Sequence, residues 1–263
     1  MRAWLFLLGL YLLLGLGAAL GLFETAVDPS LARADLAPGG AAALGTDQLG
    51  RSVGMMTLQG IEVALLVGTV AAGIAVAVGV LVGLLAGWSG GWVDGLLLWL
   101  SGSVAAIPGI LLVMLLSRLL GGGLAGVFLA VGLVSWVGTA RLVRAEVQRL
   151  RGAGWVTAAR LHGAGRARVL ARHLAPQLAP LAAVQFLLLF IYAVKAEAVL
   201  SFLGVGISDR PSWGRMIADA WAFDDLGQGR WWRLAAATVA MAGLVLTMQR
   251  LGAALERRWS RAA

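Results

Sequence analysis

The run "VALLVGTVAAGIAVAVGVLVGLLAG" (Val63–Gly87) is 25 residues long and holds no charged side chain. As a helix rising 1.5 Å per residue, about 20 apolar residues cross the ~30 Å hydrocarbon core of a bilayer. This run is therefore a membrane span, and it sets the fold class. Gly79, Gly83 and Gly87 recur every four residues as overlapping GxxxG patterns, which let a second helix approach closely. Packing inside the chain is the first reading of that stripe, and a subunit interface is the other.

The rest of the chain agrees. Of its 263 residues, 60% are hydrophobic and 13% charged, with a mean hydropathy of +0.88. Soluble domains contain about 45–50% apolar residues, so a soluble fold would expose too much apolar surface. There is no cysteine, which excludes disulfides, thiol nucleophiles and cysteine metal sites. The formal charge of +8 rests almost wholly on arginine, since Lys195 is the only lysine. Loops beside anionic lipid and a partner protein explain that charge better than nucleic acid does.

Six spans follow from the apolar runs: Trp4–Phe23, Val63–Gly87, Gly95–Ser117, Leu119–Ala140, Leu174–Val194 and Leu234–Gln249. The first is read as a retained helix, because it lacks a small-x-small cleavage pattern; Gly17 and Gly21 suggest close packing there as well. Pro108 predicts a kink in the third, since it removes a backbone donor. Residues 1–60 form an N-terminal helix and external loop, and 61–263 a five-helix core. The core carries a basic segment at 141–177 and an external segment at 201–232. Arg2, the arginines of 141–172 and Arg257, Arg258 and Arg261 place both termini on the cytoplasmic side of the membrane. Glu24, Asp28, Asp35, Asp47, Asp209, Asp219, Asp224 and Asp225 lie in the external segments. The expected architecture is all-α and polytopic.

Within the basic segment, "VTAARLHGAGRARVLARHLAPQ" (Val156–Gln177) has Arg160, Arg166, Arg168, Arg172, His162 and His173 but no acid. It reads as two short helices, Trp155–His162 and Arg166–Leu174, with Gly163 ending the first and Pro176 opening the next span. Small Ala158 and Ala159 on a helix flanked by arginines suit a docking surface. The histidines lack a ligand set or an orienting acid, so packing or phosphate contact is their expected role.

"TAARLHGAGRARVLARHLAP" (Thr157–Pro176) resembles the EAA motif of ABC-importer permeases at Ala158, Ala159, Gly163 and Pro176. Thr157 stands in place of the usual glutamate, and Ala175 in place of leucine. "LGTDQLGRS" (Leu44–Ser52) resembles the LGTDxxGRD signature of dipeptide/oligopeptide/nickel permeases, with Ser52 for its aspartate. "GLLAGWSGGWVD" (Gly83–Asp94), "AEAVLSFLGVG" (Ala196–Gly206) and "PSWGRMI" (Pro211–Ile217) resemble further segments of that family in the same order. The long first external loop fits the C-type of its two paired permeases.

The resemblance implies the type I ABC importer permease fold. It implies a heterodimer with a second related permease subunit, two ABC ATPase subunits, an extracytoplasmic solute-binding protein and a lipid bilayer. The chain has no GxxxxGK[ST], so ATP and Mg would bind the partner ATPases, leaving this chain a non-enzymatic subunit without cofactor or metal. Di- or oligopeptides are the implied cargo, with nickel or another small solute as the alternative. Thr157, Ala158, Ala159, Arg160, Gly163 and Pro176 would couple to the ATPase, and Thr157 could cap its short helix. Asp47, Arg51, Ser212, Trp213 and Gly214 fall in the external signatures as contacts for the binding protein.

Lys195 and Glu197 are path candidates, because intramembrane charges are functional by default; Pro108 is a third, its kink being either a gating hinge or a static bend. Anchoring at the interface is the competing reading for the two charged residues. Glu62 is placed at the outer interface, and Arg118 is read as snorkelling outward. The segment Pro211–Phe223 reads as a surface helix with Met216, Ile217, Ala220 and Trp221 on one face. It is either a lid at the membrane surface or a contact for the binding protein. A self-contained secondary transporter or channel is the competing class; it predicts an inverted repeat and broken helices near mid-membrane.

Overall fold

The computed structural model of the protein describes residues 2–23, 33–40, 42–207 and 210–259. Glu24, Asp28, Asp209 and Arg261, used above for orientation, lie outside the described residues. The fold is all-α: α1 (Arg2–Ala19), α2 (Val53–Ser89), α3 (Gly91–Ala106), α4 (Gly109–Leu119), α5 (Gly123–Val134), α6 (Trp136–Arg151), α7 (Gly154–Leu161), α8 (Arg166–Val169), α9 (Ala175–Phe202), α10 (Trp213–Ala222) and α11 (Trp232–Trp259). A π-helical turn, Leu170–Leu174, joins α8 to α9. No strand occurs among the described residues, only two isolated bridges.

The central element is α2. Its 37 residues give a length of about 55 Å, nearly twice the ~30 Å hydrocarbon core. It packs against α6, α9, α5 and α1. The glycine stripe meets α6: a methyl on Gly79 would lie 2.6 Å from Thr139 Cβ, and one on Gly83 would lie 2.6 Å from the Ala140 carbonyl oxygen. A methyl on Gly87 would lie 2.8 Å from the Arg144 carbonyl oxygen. The stripe therefore seals a contact within the chain. In α1 the close contact belongs to Gly15, against Leu65 and Ile61, and not to the expected pair. Gly17 faces Leu22 and Phe23 of its own turn, and Gly21 has φ +76° beyond the helix end.

Four helices are long and apolar enough to span a membrane: Val53–Ser89, Gly123–Arg151, Leu170–Phe202 and Trp232–Trp259. The expected third span is not one kinked helix. α3 and α4 meet at 92° across Ile107 and Pro108, so the pair is a broken span or a re-entrant loop. Pro108 has no amide proton to continue α3, and Ile107 before it is extended, with φ −88° and ψ 134°. α1 has 18 residues, or about 27 Å, just short of a full hydrocarbon core. Spans four and six run further than expected, because the helices carry on through Arg141–Arg151 and out to Trp259.

Arginine contacts between chain-distant residues fall at two ends. At one end Arg144 makes a two-pronged ion pair with Asp94, 2.6 Å to each oxygen. There Arg151 also donates to the Trp88 carbonyl at 2.9 Å. At the other end Arg118 donates to the Gly204 carbonyl at 2.9 Å, and Arg210 pairs with Glu62 at 2.6 Å. The helices between them thus alternate in direction through the bundle.

Candidate functional site

The basic hairpin forms much as its composition dictates. α7 ends where Gly163 adopts φ +80°, and Ala164 N–H returns to the Ala159 carbonyl at 3.0 Å. This left-handed closure is the reason for glycine at that position. Val156 and Val169, both fully buried, pin the hairpin to Val143, Val147 and Leu150 of α6 and to Leu174 and Leu178 near the start of α9. The opposite face is open: Thr157, Ala158 and Gly163 are exposed, Ala159 is half-buried, and Leu161 is 83% exposed. The Arg160 side chain lies outside the described residues. Thr157 is not a cap, because α7 begins at Gly154 and its amide already bonds to the Ala153 carbonyl.

Pro176 sits in the first turn of α9, as expected. The π-helical turn just before it leaves the hairpin directly continuous with a span. The sequence gives no periodic sign of that turn. Trp155 lies beside His173, with ring centroids 6.2 Å apart, so His173 packs.

Between the two ends, a groove of about 300 Å³ opens beside the α3–α4 break. Ile107 and Gly109 line it at the break, Ser135 and Gly138 at the α5–α6 junction, and Leu189 and Tyr192 on α9. Pro108 thus shapes this cavity. Lys195 and Glu197 point apart: Lys195 is exposed on the face of α9 that carries Tyr192, whereas Glu197 is buried. Glu197 accepts a hydrogen bond from Ser201 Oγ at 2.7 Å. Ser201 Oγ in turn accepts from the Ile207 amide at 3.3 Å and lies 3.5 Å from Ser212 Oγ. Glu197 therefore anchors the external segment to α9 and does not face the groove.

The residues expected to meet a binding protein are mostly engaged internally. Asp47 is buried and accepts from the amides of Leu49 and Arg51 and from the Arg51 guanidinium. Ser212, Trp213 and Gly214 are buried as well. Ser212 caps α10, and Trp213 Nε1 donates to the Thr57 carbonyl at 2.9 Å while its ring lies against Gly60. Ser52 takes the place of an aspartate without loss, because its hydroxyl caps α2. In α10, Met216 and Ala220 are buried and Ile217 is half-buried, but Trp221, one turn beyond Ile217, is 76% exposed. The exposed residues of this layer include Trp221, Phe223, Asp224, Leu226 and Trp231.

Sequence reasoning missed what holds this layer together. Arg233 and Asp225 pair in the interior, with side chains 2% and 3% exposed. Gln48 donates to Asp225 at 2.8 Å and accepts from Arg233 at 3.0 Å. Arg230 joins Asp225 to Asp35, and Trp232 Nε1 donates to the Thr46 carbonyl. The alternation of Asp225, Arg230 and Arg233 with apolar neighbours was the available signal.

A bundle with an anchored basic hairpin at one end and a cross-braced layer at the other is the architecture of a transporter's membrane subunit. The chain belongs to the family of binding-protein-dependent transport system inner membrane components, whose sequence profile matches residues 79–261. It is 36% identical over 232 residues to the dipeptide transport system permease protein DppC of Bacillus subtilis (strain 168), covering 86% of this chain and 72% of that protein. It is 35% identical over 207 residues to the di/tripeptide transport system permease protein DppC of Pseudomonas aeruginosa (strain UCBPP-PA14), covering 78% and 65%. The oligopeptide transport system permease protein OppC of Bacillus subtilis (strain 168) is 31% identical over 191 residues, covering 72% and 63%. This membership decides against a self-contained secondary transporter, even though α3–α4 is a broken helix of the kind that class uses.

Proposed function

We propose that this chain is the C-type permease subunit of a peptide importer. It works beside a second related permease subunit, with two ABC ATPases on its hairpin side and a solute-binding protein on its braced side. Peptide cargo is supported by the names of the relatives. Cytoplasmic termini and hairpin are supported by the arginine distribution. The observation that carries the coupling is the hairpin itself, which offers small exposed residues outward and is clamped by Val156 and Val169 to α6 and α9. A push on α7 is thereby passed to two spans, a two-state rocking element of the kind domain movements use. Pro176 keeps the hairpin in line with α9, and Thr157, Ala158, Ala159 and Gly163 form the contact.

Gly163 tests this. Valine there must hold a left-handed backbone costing about 1–2 kcal/mol, or roughly a five- to thirtyfold loss of correctly formed hairpin. Gly163→Val is expected to lower both ATPase co-purification and ATP-driven uptake by that order. Gly163→Asn, which tolerates this backbone, should retain most of both. Normal ATPase association and uptake in Gly163→Val would remove the coupling assignment.

A further inference from the structure

We propose that the groove at the α3–α4 break is a binding station for a peptide with a free C-terminal carboxylate. Ser135 and Tyr192 bond its backbone, and Lys195 holds its carboxylate. This rests on the peptide reading above and adds to it the recognising groups.

Two interruptions of helix meet at this groove, one at Ile107–Pro108 and one at Ser135. Non-helical backbone within a membrane persists only where protein buries it or where it lines a wet cavity. The last turn of α3 has carbonyls without a following amide, because Pro108 carries none. Among the described residues, no backbone bond outside the helices reaches the carbonyls of Val104, Ala105 or Ala106. Ser135 Oγ is buried without a hydrogen-bond partner among the described residues. Tyr192 extends its hydroxyl across to Gly109, where an added methyl would lie 3.7 Å from it. A lipid chain in the groove would leave all these groups unsatisfied. A peptide backbone supplies both the donors and the acceptors they need.

Lys195 completes the pattern. In α9, Tyr192, Lys195 and Val199 are exposed while Ala193, Val194, Ala196, Glu197 and Ala198 are buried. Residues three apart are neighbours on a helix, so the ammonium lies one turn beyond Tyr192, toward the Gly204 end. Among the described residues Lys195 has no ion-pair partner: the nearest acid in sequence, Glu197, is turned inward to Ser201. A lone cation facing lipid is costly, whereas at the mouth of a path it attracts an anionic group. The groove lining itself is uncharged, and Lys195, one turn from Tyr192, offers the carboxylate of an entering peptide a cation.

The test uses the complete importer in proteoliposomes, with a tripeptide and its C-terminal amide, after both are shown to load the binding protein. Lys195→Met should lower uptake of the free acid roughly tenfold, the value of a lost charge-assisted hydrogen bond, and leave the amide at the wild-type level. Lys195→Arg should restore the free acid. Ser135→Ala combined with Tyr192→Phe should slow both peptides alike. Equal effects of Lys195→Met on both peptides, or no effect on either, would overturn the proposal. Loss of the second permease subunit from purified Lys195→Met would overturn it too, because Lys195 would then be an interface residue. A wild-type importer that takes up neither peptide would instead defeat the peptide reading itself.

Discussion

Gly83→Leu will leave little folded protein in the membrane, and even Gly83→Ala will lower its thermal stability. A single methyl at position 83 meets the Ala140 carbonyl at 2.6 Å and Val143 Cβ at 2.7 Å. Neither obstacle is the free end of a flexible side chain, so the helices themselves must separate. Overpacking of this kind costs about 1–3 kcal/mol for small additions, and the four carbons of leucine exceed what the contact can absorb. Gly73 gives the control on the same helix, where an added methyl has nothing within 4 Å. Gly73→Ala should be neutral or stabilising by about 0.5–1 kcal/mol, from helix propensity alone. Thermal unfolding of detergent-purified variants, followed by size-exclusion monodispersity, checks the opposite signs. Equal tolerance at both positions would mean that α2 and α6 do not pack as described.

Asp225→Ala is expected to be the most damaging substitution in the external layer. It strands the buried Arg233 guanidinium, leaving Gln48 as its remaining hydrogen-bond partner. Removing one member of a buried ion pair costs about 3–5 kcal/mol. Arg233→Met should cost less, because Asp225 keeps Arg230 and Gln48. The double variant Asp225→Ala/Arg233→Met should recover part of the loss, since the stranded charge is gone. A double-mutant cycle by thermal unfolding measures this. Simple additivity of the two changes would count against the pair as the brace.

Much of the fold was legible because membrane helices are dictated by long charge-free runs, and α2 is the clearest of these. The hairpin was legible too: Gly163 and Pro176 mark its boundaries for reasons of backbone geometry that sequence carries locally. The third span was not. A proline signals a break, but only tertiary contacts decide between a kink and a 92° bend. The burial of the external candidates was not legible for a related reason. Asp47, Ser212 and Trp213 are polar or aromatic residues in loops, which suggests exposure, yet each closes a turn, a cap or a brace. Trp213 pairs with Thr57, 156 residues away, which no local pattern encodes; Asp47 and Ser212 bond within four residues, and only packing in the folded layer decides that they are buried. Glu197 and Lys195, two positions apart, were given the same candidate roles, and helix phase alone sends one inward and the other out.

The brace joining Asp35, Gln48, Asp225, Arg230 and Arg233 bears on the speed and lifetime of encounters at that surface. Its turns are already fixed before anything arrives, so a docking protein surrenders no free energy to ordering them. The dwell time of such a visitor is then set by the contacts it makes with that surface. A surface already stiff before contact suits brief, repeated encounters.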